Sequence, residues 1–242
     1  ANASPPLRLR GRGAAFACRT VLDDVAPVPT PPRPRKPAPS DSGLDARRAA
    51  MAVIAKALHH RGGLEDALTA PALMALEPRD RGFARALAMT ALRRKGGVDR
   101  ILQTRLAKPP PEEIAALIGL GVTQLLYLDT PAHAAVSTTM ALADAARAGR
   151  PFKSLINAVL RRVEREDAPV FGPEAWAPDW LMARWRAAYG DEAALAIAAI
   201  IPEEPATDLT PRRPADAPAI AEALDGLVLA GGSVRTERRG EL

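Results

Sequence analysis

The sequence predicts an all-α protein: an antiparallel helix bundle, followed by extra helices and the beginning of a small α/β unit. Three observations carry that expectation. Between Asp45 and Asp167, apolar residues recur at intervals of three and four, which places them on one face of a helix. Gly62-Gly63, Gly96-Gly97, Pro109-Pro110-Pro111 and Thr130-Pro131 punctuate these stretches. The loops are therefore short, and neighbouring helices run antiparallel. After Asp167 the character changes: Trp176, Trp180 and Trp185 fall close together, and short extended segments follow.

A first helix is expected from Asp45 to His60, with Val53, Ile54, Ala57 and Leu58 inward and Asp41, Ser42 or Asp45 as its cap. A short helix over Leu64–Thr69 follows. The next long helix opens with Pro78 near its first position and buries Phe83, Leu87 and Ala91; Gly96-Gly97 should end it. Arg93, Arg94 and Lys95 crowd that end, where the helix dipole favours cations. A short helix over Val98–Ala107 is closed by prolines. From Pro111, the residues Ile114, Leu117, Ile118, Gly121, Val122, Leu125 and Leu126 mark a buried helix. Gly119 and Gly121 cost it about 1 kcal/mol each relative to alanine, so another helix should approach closely there. Thr130 should cap the following helix, whose inward face is Ala132, Ala135, Val136, Thr139 or Met140, and Ala143.

The last bundle helix, from Pro151 to Glu166, has the sharpest pattern. Phe152, Leu155, Ile156, Val159, Leu160 and Val163 form one stripe, while Lys153, Arg161, Arg162 and Arg165 leave a basic surface. Asn157 lies next to the stripe and, if buried, needs partners for its amide. Beyond it, helices are expected over Pro178–Tyr189, broken at Gly190, then over Asp191–Ile201 and Asp216–Leu224. Thr207–Thr210 and Leu227–Arg235 read as extended.

Charge divides the 242 residues the same way. Residues 1–44 form a Pro/Arg-rich tail, expected to be disordered, with seven Lys/Arg against three Asp/Glu. Residues 45–167 hold 19 against 13, and residues 168–242 hold 7 against 12, within an overall +5. A cationic central region suits a polyanionic partner. Cys18 is the only cysteine, which excludes an internal disulfide or a cysteine-based metal site and fits a cytoplasmic setting. No apolar run approaches the roughly 20 residues of a membrane-spanning helix. Gly11-Arg-Gly13 lacks the strand-to-helix context of a phosphate loop. The histidines, His59, His60 and His133, form no metal or catalytic constellation, and no catalytic group is assigned.

Five blocks occur in a telling order: Ala46-Arg-Arg-Ala49, Arg79-Asp-Arg-Gly-Phe-Ala-Arg85, Leu120-Gly-Val-Thr-Gln-Leu-Leu-Tyr127, Thr130-Pro-Ala-His-Ala-Ala-Val136 and Asn157-Ala-Val-Leu-Arg-Arg162. Together they resemble the NusB-like domain, and more closely its version at the N-terminus of the RsmB (Sun/Fmu) ribosomal RNA cytosine-5 methyltransferases. The resemblance implies a NusB-like RNA-binding bundle over 45–167 and a connector with the start of a small α/β subdomain over 168–242. It implies a partner in small-subunit (16S) ribosomal RNA. The RNA-contacting residues it suggests are Arg47, Arg48, Lys153, Arg161, Arg162 and Arg165. The family's catalytic domain uses S-adenosylmethionine and two cysteines. This chain ends at Leu242 with no cysteine beyond Cys18, so the expectation is an N-terminal portion of such an enzyme, without that domain and binding no cofactor itself. The alternative is a NusB-type antitermination factor that binds a boxA-like RNA and a ribosomal protein. Under either reading, Arg47→Glu with Arg48→Glu is expected to weaken RNA binding and leave the fold intact.

Overall fold

A computed structural model describes residues 41–59, 63–166 and 169–238, which belong to one compact unit. The expectations for nearly all of the 1–44 tail, for Cys18 and for His60 lie outside the described residues, as does the side chain of His59.

Among the described residues, eight helices make the bundle: α1 (Asp41–His59), α2 (Gly63–Leu68), α3 (Pro71–Met74), α4 (Pro78–Arg93), α5 (Lys95–Arg105), α6 (Glu112–Tyr127), α7 (Ala132–Ala145) and α8 (Lys153–Arg165). α6 is the centre. It packs against α4, α5, α7 and α8, and its Ile114, Ile118, Leu120 and Val122 are fully buried. Around them lie Val53, Leu87, Ile101, Ile156 and Leu160, the inward stripes of the neighbouring helices. A Cβ at Gly121 would stand 2.7 Å from Leu160 Cδ2 and 3.1 Å from Thr139 Oγ1, so α7 and α8 do approach closely there. Gly119 differs: a Cβ there meets only Val98 Cγ1 at 3.4 Å. It borders a cavity of about 360 Å³ between α1, α4, α5 and α6, which also leaves the expected core residue Leu58 46% exposed.

Gly96-Gly97 does not terminate a helix. The chain turns at Arg94, and both glycines lie in the first turn of α5. Their small size serves packing. A Cβ on Gly96 would collide with the Ala175 carbonyl, and one on Gly97 would lie 2.5 Å from the Trp176 ring. Thr130 likewise does not cap α7, whose N-cap position is taken by Pro131 without a side-chain hydrogen bond.

Past α8, a short turn over Pro173–Ala175 leads into α9 (Asp179–Ala199), kinked at Gly190, where φ is +81°. That left-handed value suits glycine, and it divides α9 where the sequence placed a break. α9 folds on itself around Met182, Trp185, Ala194 and Ala198. Then come β1 (Thr207–Leu209), α10 (Ala217–Leu224), β2 (Leu227–Val228) and β3 (Val234–Thr236), an antiparallel sheet in the order β1-β3-β2 with α10 packed against β3. The extended stretch expected over Leu227–Arg235 is thus a hairpin, β2 and β3 pairing Leu227 with Arg235 and Val228 with Val234.

An aromatic knot joins the extension to the bundle. Trp176 lies over Gly97 and meets Phe171 edge-on, with ring centroids 5.9 Å apart. The Arg94 guanidinium lies 4.9 Å from the Tyr127 ring and 5.2 Å from the Trp176 ring. Arg94, expected to serve the helix end, thereby also holds the extension to α6 through cation–π contacts.

Candidate nucleic-acid interface

α8 presents its basic residues because its other face is fully used. Ile156, Val159, Leu160 and Val163 are buried against α6 and α7. Residues four apart on a helix line up. On α8 that alignment makes one solvent-side row of Lys153, Asn157, Arg161 and Arg165. Asn157 is exposed and has no partner among the described residues, so the buried amide considered from the sequence is not observed. It is a polar group that sequence reasoning left off the surface; the four-residue repeat running through Lys153 and Arg161 was the signal for it.

The cations of this row differ in how free they are. Lys153 Nζ donates to Asp144 Oδ2 at 2.6 Å, and Arg161 donates to Glu164 at 2.7 Å. Arg162 points to the side of the row and donates to Glu166 at 2.6 Å; Arg105 donates to the other oxygen of that carboxylate at 2.6 Å. Arg162 and Arg105 together hold the Glu166 carboxyl below its ordinary range, the Arg162 hydrogen bond being the largest cause. Arg165 is exposed and has no ion-pair partner among the described residues. The pairs of Lys153, Arg161 and Arg162 lie at the surface and are each worth at most about 1 kcal/mol, so a phosphate can displace their carboxylates, whereas the Arg105 side chain is only 9% exposed.

Arg48 lies elsewhere, exposed on α1 and paired with Asp45. It borders a smaller cavity with Ala145, Ala146 and Gly149, at the end of α7, where Arg150 Nε also donates to the Asp144 carbonyl at 2.9 Å. Lys153 reaches that same end through Asp144. The end of α7 therefore has Lys153 and Arg150 on Asp144, and Arg48 on the cavity beside Ala145; Arg150 is a cation that sequence reasoning omitted. The negative pole of the α7 dipole is a reason for cations to gather there.

Arg47 is inside the protein. It is 8% exposed; its Nε donates to the buried Gln124 Oε1 at 2.6 Å, and a terminal nitrogen donates to the Gly43 carbonyl at 2.9 Å. Its guanidinium lies 4.8 Å from the centre of the Phe83 ring. Burial lowers the pKa of this cation, and no carboxylate pairs with it among the described residues. The phosphate contact expected of Arg47 thus meets a group already committed to the interior. The adjacent Arg47-Arg48 pair splits because adjacent positions on a helix point about 100° apart.

No group of three or more His, Cys, Asp or Glu suited to a metal occurs among the described residues, and none of their helices is long and apolar enough to cross a membrane.

Residues 44–165 match the NusB family. The ribosomal RNA small subunit methyltransferase B of Xanthomonas campestris is 39% identical over 157 residues, covering 63% of this chain and 35% of that protein. The protein of the same name from Xylella fastidiosa is also 39% identical over 157 residues, covering 62% of this chain and 36% of its own length. The Thermus thermophilus counterpart is 37% identical over 117 residues, covering 48% of this chain and 28% of its own. The chain thus spans roughly a third of the length of the relatives it matches.

Proposed function

Because the chain belongs to the NusB family, we propose that it is the RNA-binding region of a small-subunit ribosomal RNA methyltransferase, with residues 45–167 as the RNA-binding unit and 168–242 as connector. The observation that carries this reading is the solvent-side row Lys153, Asn157, Arg161 and Arg165 on a helix whose opposite face is locked into the core. Cations at this spacing follow a phosphate backbone, and a free amide adds a donor and an acceptor for sugar or base edges. Arg48 and Arg150 extend the surface at the end of α7. Arg162 is the weakest member, since Glu166 holds it beside Arg105. Arg47 supports the surface from within by fixing α1 on α6.

In this reading the protein acts in the cytoplasm, and methyl transfer from S-adenosylmethionine to cytosine belongs to residues outside those described here. The Xanthomonas and Xylella relatives favour a methyltransferase over an antitermination factor, because their matches of 157 residues exceed the length of the NusB segment.

The test is a titration of a small-subunit ribosomal RNA stem-loop at several salt concentrations. Each phosphate contact contributes about 0.7 to the log–log salt slope for single strands and about 0.9 for duplex. Arg161→Ala with Arg165→Ala should flatten the slope by roughly 1.4 to 1.8 and weaken binding at low salt. An unchanged slope refutes the assignment to α8.

A further inference from the structure

The tryptophans clustered after Asp167 have different fates. Trp176 is wedged over Gly97, and Trp185 packs against the α9 core. Trp180 is 67% exposed, an unusual place for the side chain with the largest apolar surface. Its neighbours on that face are Ala183 and Arg184 one turn on and Ala187 two turns on, all exposed. The alanines rise too little to cover an indole ring. Arg184 has no carboxylate partner among the described residues, whereas Arg186, on another side of the helix, pairs with Asp191 at 3.1 Å. An uncovered indole beside an uncommitted guanidinium is thus built into the first half of α9.

Its position relative to α8 gives it a use. α5 links the two places. Arg105, at the end of α5, holds Glu166 at the end of α8. Arg100, about 7.5 Å back along α5, donates to the Glu174 carbonyl at 3.4 Å and lies 4.0 Å from Asp179, the residue preceding Trp180. A line of ion pairs therefore runs along α5 from Arg105–Glu166 at the end of α8 to Arg100–Asp179 beside Trp180, and Arg184, one turn further on, is its unpaired cation among the described residues.

We propose that Trp180 and Arg184 form a stacking site for an unpaired nucleobase in a single-stranded RNA segment that continues from α8. This rests on the RNA-binding reading above and adds the form of RNA recognised. Stacking on an aromatic face requires an unpaired base, because bases inside a duplex are already stacked. The free guanidinium matches the phosphate that flanks such a base.

The test uses the 242-residue chain, a stem-loop carrying a single-stranded extension, and the same stem-loop without it. Trp180→Ala should weaken binding of the extended RNA by about 5- to 140-fold, the range of one base–aromatic stack. The blunt stem-loop should change less than about twofold. Trp180→Phe should recover part of the loss, and Arg184→Ala should flatten the salt slope by about 0.7. Because both side chains are exposed, thermal melting of all three variants should match the parent, which separates lost contact from lost fold. The proposal is overturned if Trp180→Ala binds both RNAs as the parent does; the α8 reading then stands alone. It is overturned too if Trp180→Ala changes only self-association in sedimentation, which would make the face a protein contact. A parent chain that binds neither RNA removes the α8 reading, and this site with it.

Discussion

Gln124→Leu should destabilise the protein more than Arg47→Met does, although both break the same hydrogen bond. In the parent, the Arg47 Nε–H donates to Gln124 Oε1 at 2.6 Å, and Gln124 Nε2 donates to the Leu120 carbonyl at 3.3 Å. Replacing Gln124, which is fully buried, leaves a charged donor of an 8%-exposed arginine without its acceptor. A hydrogen bond to a charged group is worth about 1.5–3 kcal/mol, and stranding a buried donor costs the same order again. A loss near 3 kcal/mol follows. Arg47→Met keeps an apolar stem against Phe83 and removes a buried cation that has no carboxylate partner among the described residues. It leaves neutral oxygens, those of the Gln124 amide and the Gly43 carbonyl, without the arginine donor and forfeits one cation–π contact. These come to about 1–2 kcal/mol. With both changes, no charged orphan remains, so the double variant should be more stable than the sum of the single effects by about 1–2 kcal/mol. Urea denaturation followed by circular dichroism measures all three. In a domain of this size, 3 kcal/mol corresponds to a melting shift of roughly 6–12 °C. The reasoning is refuted if Arg47→Met costs as much as Gln124→Leu, or if the effects add within about 0.5 kcal/mol. The same geometry corrects the expectation that Arg47→Glu with Arg48→Glu leaves the fold intact. A carboxylate at position 47 would face the Gly43 carbonyl and the electron-rich face of Phe83, so the melting temperature should fall with RNA affinity.

Other outcomes follow from the packing. Gly96→Ala should release the extension without unfolding the bundle, because the new methyl meets the backbone carbonyls of Ala175 and Trp176, which cannot rotate aside. Faster proteolytic cleavage between Glu166 and Trp176, with the bundle core still resistant, would show it; an unchanged cleavage rate would contradict it. Gly121→Ala should cost about 1–3 kcal/mol as an overpacked site, partly relieved by movement of the Leu160 methyls, and Leu160→Val in the same chain should recover stability in denaturant titrations. Ionised Glu166 stabilises the fold through Arg162 and Arg105, and its folded pKa lies below the ordinary 4.5. That contribution is present above 4.5 and lost as pH falls through the lower folded value. Glu166→Gln should therefore be less stable than the parent at neutral pH, and the two stability curves should converge in acid.

The bundle was legible because α6, α7 and α8 state their burial in the spacing of their apolar residues, and periodicity is a local signal. Gly96-Gly97 misled for a physical reason. Two glycines in sequence look like a helix stop, but here they make room for a tryptophan almost 80 residues away, and nothing nearby in the chain records that demand. Arg47 and Arg48 show the same limit at the interface. Their side chains are chemically identical, and only the position of Gln124 and Phe83 decides that one is interior. Asn157 belonged to a visible four-residue row, yet its closeness to the apolar stripe drew attention inward. Trp180 could be found in the sequence, but its exposure could not.

If α8 holds RNA as proposed, the joint at Trp176 would turn the two parts of this chain into a measuring device. An indole ring seated over glycines and gripped by Arg94 fixes the start of the extension against α5. In the proposed enzyme, whatever is carried beyond α9 would begin at a set offset from the gripped RNA. Selection would then depend on distance as much as on contact: an RNA could bind well on α8 and still fail to react, because its target base falls short of the span. Shortening or lengthening the stretch between Glu166 and Pro173 would recalibrate that gauge.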